Sequence, residues 1–225
     1  MPLTPVRILK PNLYESGCVL YLTEDSVDGS TWKDLSGYKN HGTINGATLV
    51  SGSGLYFDGT DDLVVVNDAN SLDITNELTI LSKFKTSYSF NGVIIRKASS
   101  YEIFGNELNS GKVAGFVGDG SSWFQPKVIS TNTYNDGKWH FVALVYNDAN
   151  DTLKLYVDSD LEDSETITGS LGTSNSNLGI GADSGGSYYY KGYISDLKIF
   201  NKSFNQSKIF AHNRNSRFLP NRIII

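Results

Sequence analysis

A single cysteine among 225 residues, Cys18, excludes an internal disulfide framework. Followed by Val19, Leu20, Tyr21 and Leu22, it reads as a small buried hydrophobe. A nucleophilic thiol would need a histidine and an orienting group beside it. Histidine is also scarce: His41, His140 and His212 stand far apart with no metal-ligand spacing, so structural roles are expected. No run approaches the ~18 apolar residues of a membrane-crossing helix. Met1–Lys10 contains two prolines and three polar or charged residues and does not read as a secretory leader. The expectation is a soluble protein, exported by another route, released by lysis or lacking its leader. The glycine pairs of Gly115–Gly118 and Gly179–Gly181 lack the following helix that a phosphate loop requires.

Acidic residues are missing from both ends. None follows Asp196, whereas Lys198, Lys202, Lys208, Arg214, Arg217 and Arg222 do; before Glu15 stand only Arg7 and Lys10. The net charge of −5 therefore conceals a body at −13 between two basic ends. Such ends suit an acidic surface, the chain's own or a neighbour's. Nucleic acid is disfavoured, because the body repels phosphate and no basic–aromatic module is present.

What is present is strand signal, recurring between clusters of Gly, Asn, Asp and Ser with almost no helical period between. Strands are expected at 18–22, 55–57, 63–66, 78–85, 92–97, 101–104, 113–117, 138–146, 152–158, 177–181 and 188–200. In the hairpin spanning 140–157, Leu153, Leu155 and Val157 alternate against Lys154 and Tyr156. Its first arm, Phe141–Tyr146, is apolar on both faces, as expected of a strand inside stacked layers. One helix start stands out: Ser203 to Gln206 forms a capping box, with a short helix to about Ala211. A chain of this length can bury a core without staples. The pattern predicts an all-β, two-sheet antiparallel jelly-roll sandwich with one short C-terminal helix and basic terminal arms. The expected division is an N-terminal arm at 1–14, the jelly roll at 15–212 and a basic, apolar arm at 213–225.

Six segments in order sharpen this. Trp32-Lys33-Asp34-Leu35-Ser36-Gly37 with His41-Gly42-Thr43, Leu55-Tyr56-Phe57-Asp58-Gly59 with Asp61-Asp62, and Lys138-Trp139-His140-Phe141 come first. Leu155-Tyr156-Val157-Asp158, Leu178-Gly179-Ile180-Gly181, and Gly192 to Phe200 follow. Together they resemble the laminin-G-like jelly-roll domains of the concanavalin A-like lectin/glucanase superfamily, over about Val19 to Ala211. One departure is Ser159, where that family has glycine after Tyr-Val-Asp. The resemblance implies a mostly non-catalytic binder of glycans or proteins. It also implies a structural calcium near the Phe-Asp-Gly turn, with Asp58 a ligand, Asp196 a second, and Asp61 and Asp62 contributing; Ser195 stands where the family often has an acid.

A glucanase on this fold would need two carboxylates on one strand, about 5–5.5 Å apart in a retaining enzyme. The segments Glu162–Glu165 and Asp73–Glu77 lack the Glu-x-Asp-x-x-Glu alternation of that superfamily's glucanases and read as solvated loops. Sugar binding instead needs aromatic faces beside short polar groups. Two loops offer them: Asp119 to Gln125, with Trp123, and Asp183 to Tyr190, with Tyr189 expected to turn outward and Tyr190 inward. The expected ligand-binding residues are Trp123, Asp119, Tyr189 and Asp183; Arg214, Arg217, Arg222 and Phe218 are expected to serve assembly. The function expected is a lectin-like, non-enzymatic recognition protein, displayed on a virion or extracellular surface for attachment to a host glycan or glycoprotein. The alternative is a structural or decoration protein of a virion, a homo-oligomer or partner of capsid proteins, whose arms dock on neighbouring subunits.

Overall fold

The computed structural model describes residues 15–89, 91–108 and 110–215. Strands β1 (Cys18–Leu22), β2 (Val27–Asp28), β3 (Thr31–Trp32), β4 (Gly42–Asn45), β5 (Thr48–Val50) and β6 (Gly54–Asp58) come first. Next are β7 (Leu63–Val66), β8 (Glu77–Lys85), β9 (Val93–Lys97), β10 (Tyr101–Glu107), β11 (Lys112–Val117) and β12 (Val128–Ile129). Last are β13 (Trp139–Asn147), β14 (Thr152–Val157), β15 (Asp160–Thr166), β16 (Leu178–Ile180), β17 (Lys191–Phe200) and helix α1 (Gln206–Asn215). One sheet runs β15-β14-β13-β8-β17-β6-β5, with β1 also on β17; the other runs β12-β11-β10-β9-β16-β7-β4-β3-β2. The ladders are antiparallel, and the two sheets stack as a jelly-roll sandwich.

Three layers of apolar side chains hold this together. Between the sheets lie Trp32, Phe57, Phe84, Tyr101, Leu144 and Tyr146, all fully buried. On the outer face of the eight-stranded sheet, Phe141, Ala143, Val145, Tyr156 and Phe200 are roofed by Phe204 and by Ile209 of α1. That explains why β13 is apolar on both faces: Val142, Leu144 and Tyr146 meet the other sheet, and Phe141, Ala143 and Val145 meet the helix. Cys18 belongs to this second layer, its thiol pushed up to about 12 by burial. The third layer, on the outer face of the nine-stranded sheet, is taken up below.

Local chemistry accounts for the early motif. Asp34 Oδ1 accepts from the amides of Tyr21 (2.9 Å) and Ser36 (2.8 Å), and Oδ2 from the Asn40 amide (2.9 Å) and the Ser36 hydroxyl (2.7 Å). His41 Nδ1 accepts from the Asp34 amide (2.9 Å), and the Trp32 indole donates to Thr23 O (2.7 Å). The segment is a turn that ties β1 to the nine-stranded sheet.

Several expectations are corrected. Ser203 does not cap the helix: its hydroxyl donates to Glu77 Oε1 (2.7 Å), while Asn205 Oδ1 accepts from the Lys208 amide (3.0 Å) and caps it instead. The helix runs on to Asn215, four residues past Ala211. Residues 162–165 are not a loop but part of β15, an edge strand whose charged side chains suit an unpaired edge. The last long strand starts at Lys191 rather than Tyr188, because Tyr188 adopts φ 55°. Asp158 and Ser159, at φ 54° and 80°, form the two-residue turn between β14 and β15 where glycine is usual. Helix α1 secures it: Gln206 Nε2 donates to Ser159 O (3.1 Å) and Asn213 Nδ2 to Ser159 Oγ (3.0 Å). The expected N-terminal arm at 1–14 lies outside the described residues.

Candidate functional site

Strand register builds the site. Glu102 of β10 lies opposite Arg96 of β9 on one side and Phe116 of β11 on the other, and Phe104 lies opposite Val93 and Ala114. Their neighbours Ile95, Tyr101, Ile103, Val113 and Val117 point into the core, so Arg96, Glu102, Phe104 and Phe116 share the outer face of the nine-stranded sheet.

Two loops close over this face. In the β11–β12 loop, Asp119 Oδ1 accepts from the amides of Ser121 (2.8 Å) and Ser122 (2.7 Å). Those bonds, Ser122 first, hold its carboxyl below the usual range and shape the tip that presents Trp123. In the β16–β17 loop, Asp183 Oδ1 accepts from the Gly185 amide (2.8 Å) and Oδ2 pairs with Arg96 Nε (2.8 Å). This N–H is misaligned for a hydrogen bond, so the contact is Coulombic. The loop folds back tightly over β16, where a side chain at Gly179 would strike the Ala182 carbonyl. Tyr188, 48% exposed, brings its ring to 5.5 Å from Phe104. A tyrosine in the left-handed region is strained by about 1–3 kcal/mol, the kind of outlier that collects at functional surfaces.

The result is a closed circuit. Tyr188 meets Phe104, Phe104 meets Phe116 (6.0 Å) and Phe116 meets Trp123 (6.1 Å), all edge to face. The Arg96 guanidinium then lies 5.4 Å from the Trp123 ring and 5.7 Å from Tyr188. Beneath it Glu102, 3% exposed, pairs with Arg96 Nη1 at 3.2 Å. Burial pushes the Glu102 carboxyl up to about 7; Arg96 opposes this, and Glu107 and Asp183 add to it. Glu107 is ion-paired with Lys127, whose ammonium lies over Phe116 at 4.8 Å. Charges thus nearly balance, under two half-open rings.

Of the expected ligand residues, the structure gathers Trp123 and Asp183 around Arg96 and places Asp119 in the turn behind Trp123. Tyr190 lies in the core as expected, but the other two tyrosines are corrected: Tyr188 turns to the site, whereas Tyr189 is half-buried with its hydroxyl over Gly186. Arg96, Glu102, Phe104, Phe116 and Tyr188 escaped the sequence reading; the signal available was a charge or ring alternating with aliphatics in β9 and β10. That reading also missed the carboxylate pair with the best spacing. Glu102 and Glu107 share β10 across a bulge, but Phe104 stands between them where a third acid would be, and both are ion-paired.

The expected metal pair is corrected too. Asp196 pairs with Lys83 (3.3 Å) at a bulge in β17, while Asp58 gathers with Asp61 and Asp62, one carboxylate oxygen of each within 4.8 Å of the others. Of the expected assembly residues, Arg214 lies on α1 over the Phe210 ring (5.7 Å), and Arg217, Phe218 and Arg222 lie outside the described residues. A cavity of about 730 Å³ beside Asn40, Asp73 and Glu77 carries one ring, Tyr38. Three of its polar groups are committed: Asn40 to Val19 O, Asp73 to Lys97 and Glu77 to Ser203.

A laminin-G-like family model, of the concanavalin A-like lectin/glucanases superfamily, matches residues 58–210. The chain belongs to this superfamily. No curated protein matches it by sequence. Among solved structures this superfamily member is similar to the binding domain of Paraclostridial Mosquitocidal Protein 1, with TM-score 0.70 and 14% identity over 88% of this chain and 52% of that one. It is also similar to the botulinum neurotoxin serotype D ligand binding domain in complex with N-acetylneuraminic acid, at TM-score 0.68 and 18% identity over 89% and 51%. A third is a botulinum neurotoxin type C structure, a toxin described as dependent on two ganglioside molecules for cell entry, at TM-score 0.66 and 16% identity over 88% and 51%. The chain spans about half the length of these structures, and at such identities the likeness is one of fold.

Proposed function

We propose that the chain is a non-catalytic glycan-recognition module, and that the Arg96-centred face is its binding site. One observation carries this: Trp123 and Tyr188 stand half-open on either flank of a partly buried, ion-paired Arg96–Glu102–Asp183 group. Rings of this kind take the apolar face of a pyranose, and the polar groups between them take hydroxyls. Near-neutrality suits an uncharged sugar better than a charged polymer. Two neighbours in the same fold class, one in complex with N-acetylneuraminic acid and one from a toxin dependent on gangliosides for cell entry, support glycan recognition in general. We infer display on a particle or cell surface, where repeated weak sites add up.

Trp123→Ala is expected to weaken binding of the best ligand from a glycan array at least tenfold, about 1.4 kcal/mol, by calorimetry. Tyr188→Ala should act similarly, with the melting temperature little changed. Unaltered affinity in both variants would sink the assignment.

Asp58, Asp61 and Asp62 suit a calcium ion as three hard oxygen donors, with backbone carbonyls and water completing the shell. Burial, together with Asp58 and Asp61, shifts the Asp62 carboxyl upward against the Asp58 amide bond, and a cation would relieve that repulsion. Calcium at ~100 times its Kd is expected to stabilise the fold by about 2.7 kcal/mol. Exposed Asp61, changed to Asn, should abolish most of that gain in a thermal melt; equal melting in calcium and chelator would exclude the site.

A further inference from the structure

The opposite side of the sandwich carries a second aromatic surface that the Trp123 reading does not use. Across the eight-stranded sheet the register sets Tyr56 opposite Tyr193, Tyr193 opposite Lys85, and Lys85 opposite Trp139. Directly opposed residues share a face. Their neighbours Leu55, Phe57, Phe84 and Ile194 fill the core, so the four form a straight row on the outside. Tyr193 is its centre, 5.1 Å from Tyr56 and 6.0 Å from Trp139, with Lys85 Nζ 5.7 Å from its ring. Beside the row is a cleft of about 140 Å³ lined by Tyr56, Lys85, Tyr88, Lys191 and Tyr193. Lys191 Nζ lies 5.3 Å from the Tyr88 ring.

Charge separates this surface from the first. Lys33, Lys83, Lys97, Lys127, Lys138 and Lys208 each have a carboxylate partner. Lys85 and Lys191, like Lys39, Lys112, Lys154, Lys198 and Lys202, have none among the described residues, but these two alone line one aromatic cleft; Asp58, opposite Lys191 in the ladder, makes no ion pair with it. The Tyr56 and Tyr193 hydroxyls likewise bond to no described residue. Two cations without counter-ions, above part-open rings in an acidic body, ask for one compact anion attached to a ring. A polyphosphate would meet the repulsion of that body, and a free phosphate would leave the rings without a partner.

We propose that this row is a second binding site, for an acidic saccharide: the pyranose lies on Tyr193 between Tyr56 and Trp139, and its carboxylate or sulfate reaches Lys85 and Lys191. The site is independent of the Arg96 face, so either can fail alone. The test is calorimetry on the full chain with three matched oligosaccharides: neutral, uronic-acid-bearing and sulfated. Lys85→Gln/Lys191→Gln, both changes on the surface, should lower acidic-ligand affinity at least tenfold and leave any neutral binding unchanged. Tyr193→Ala should lower it too, and wild-type affinity should fall as salt rises. Whether the carboxylated or the sulfated ligand binds decides the source of the anion. No binding of either acidic ligand at millimolar concentration, or unchanged binding in the double variant, overturns the proposal.

Discussion

Lys97→Ala is expected to destabilise the fold by about 3–5 kcal/mol, the range for breaking a buried ion pair from one side. Lys97 is fully buried at the end of β9, between Tyr101 of β10 and Leu178 of β16. Its ammonium donates to Asp68 and to Ser176 O (3.0 Å), with Asp73 Oδ1 at 3.4 Å. Asp73 Oδ1 has no hydrogen-bond donor among the described residues, so Lys97 is its compensation. Removing the side chain leaves a cavity and two uncompensated carboxylates at the mouth of the core. Lys97→Met keeps the volume, so its loss should shrink to about 2–3 kcal/mol. Urea unfolding of both variants checks the ordering; a loss below 1 kcal/mol for alanine, on the order of an exposed ion pair, would show that the contacts are unimportant.

Arg96→Met should also destabilise the fold, and its cost should depend on pH. Arg96 is ion-paired with both Glu102 and Asp183 and lies against both flanking rings, so the variant should also lose glycan affinity. Glu102, raised from 4.5 to about 7 in the folded chain, binds its proton more tightly there than when unfolded. The stability this confers is fully present below the unfolded value and is lost as pH rises through the folded one. Without Arg96 the carboxyl is harder still to ionise, and it protonates rather than remain a bare buried charge. The loss should therefore be smallest at pH 5 and grow by about 1.4 kcal/mol by pH 8, one unit above the folded value. Arg96→Met/Glu102→Gln should recover most of it and flatten the pH dependence, a coupling that a double-mutant cycle measures. Equal losses at both pH values would remove Glu102 from the explanation.

What could be read from the chain alone follows the range of the interactions. Turn chemistry is local, so Trp32 to Thr43, the Asp58 turn and the hairpin ending at Asp158 are legible in residue order. Trp123 and Asp183 were legible as a ring and a carboxylate in Gly/Ser-rich loops. Arg96, Glu102 and Phe116 were not, because they become neighbours only through the register of three strands. Tyr188 was hidden by backbone conformation, since its positive φ breaks the alternation that assigned Tyr189 to the surface. The polar run of β15 shows no apolar face because it is an edge strand, paired with β14 alone. Ser203 matched a capping pattern, but long-range partners in β8 and β13 took its hydroxyl.

The circuit around Arg96 has one more consequence. A single guanidinium is the common partner of two loops that are far apart along the chain, so neither loop can rearrange without disturbing the other. Much of the ordering that a sugar would otherwise have to impose has already been done by folding, which favours affinity through rigidity rather than through contact area. It also narrows what either loop can become: each can vary in length and polarity only while it keeps its contacts with that one cation.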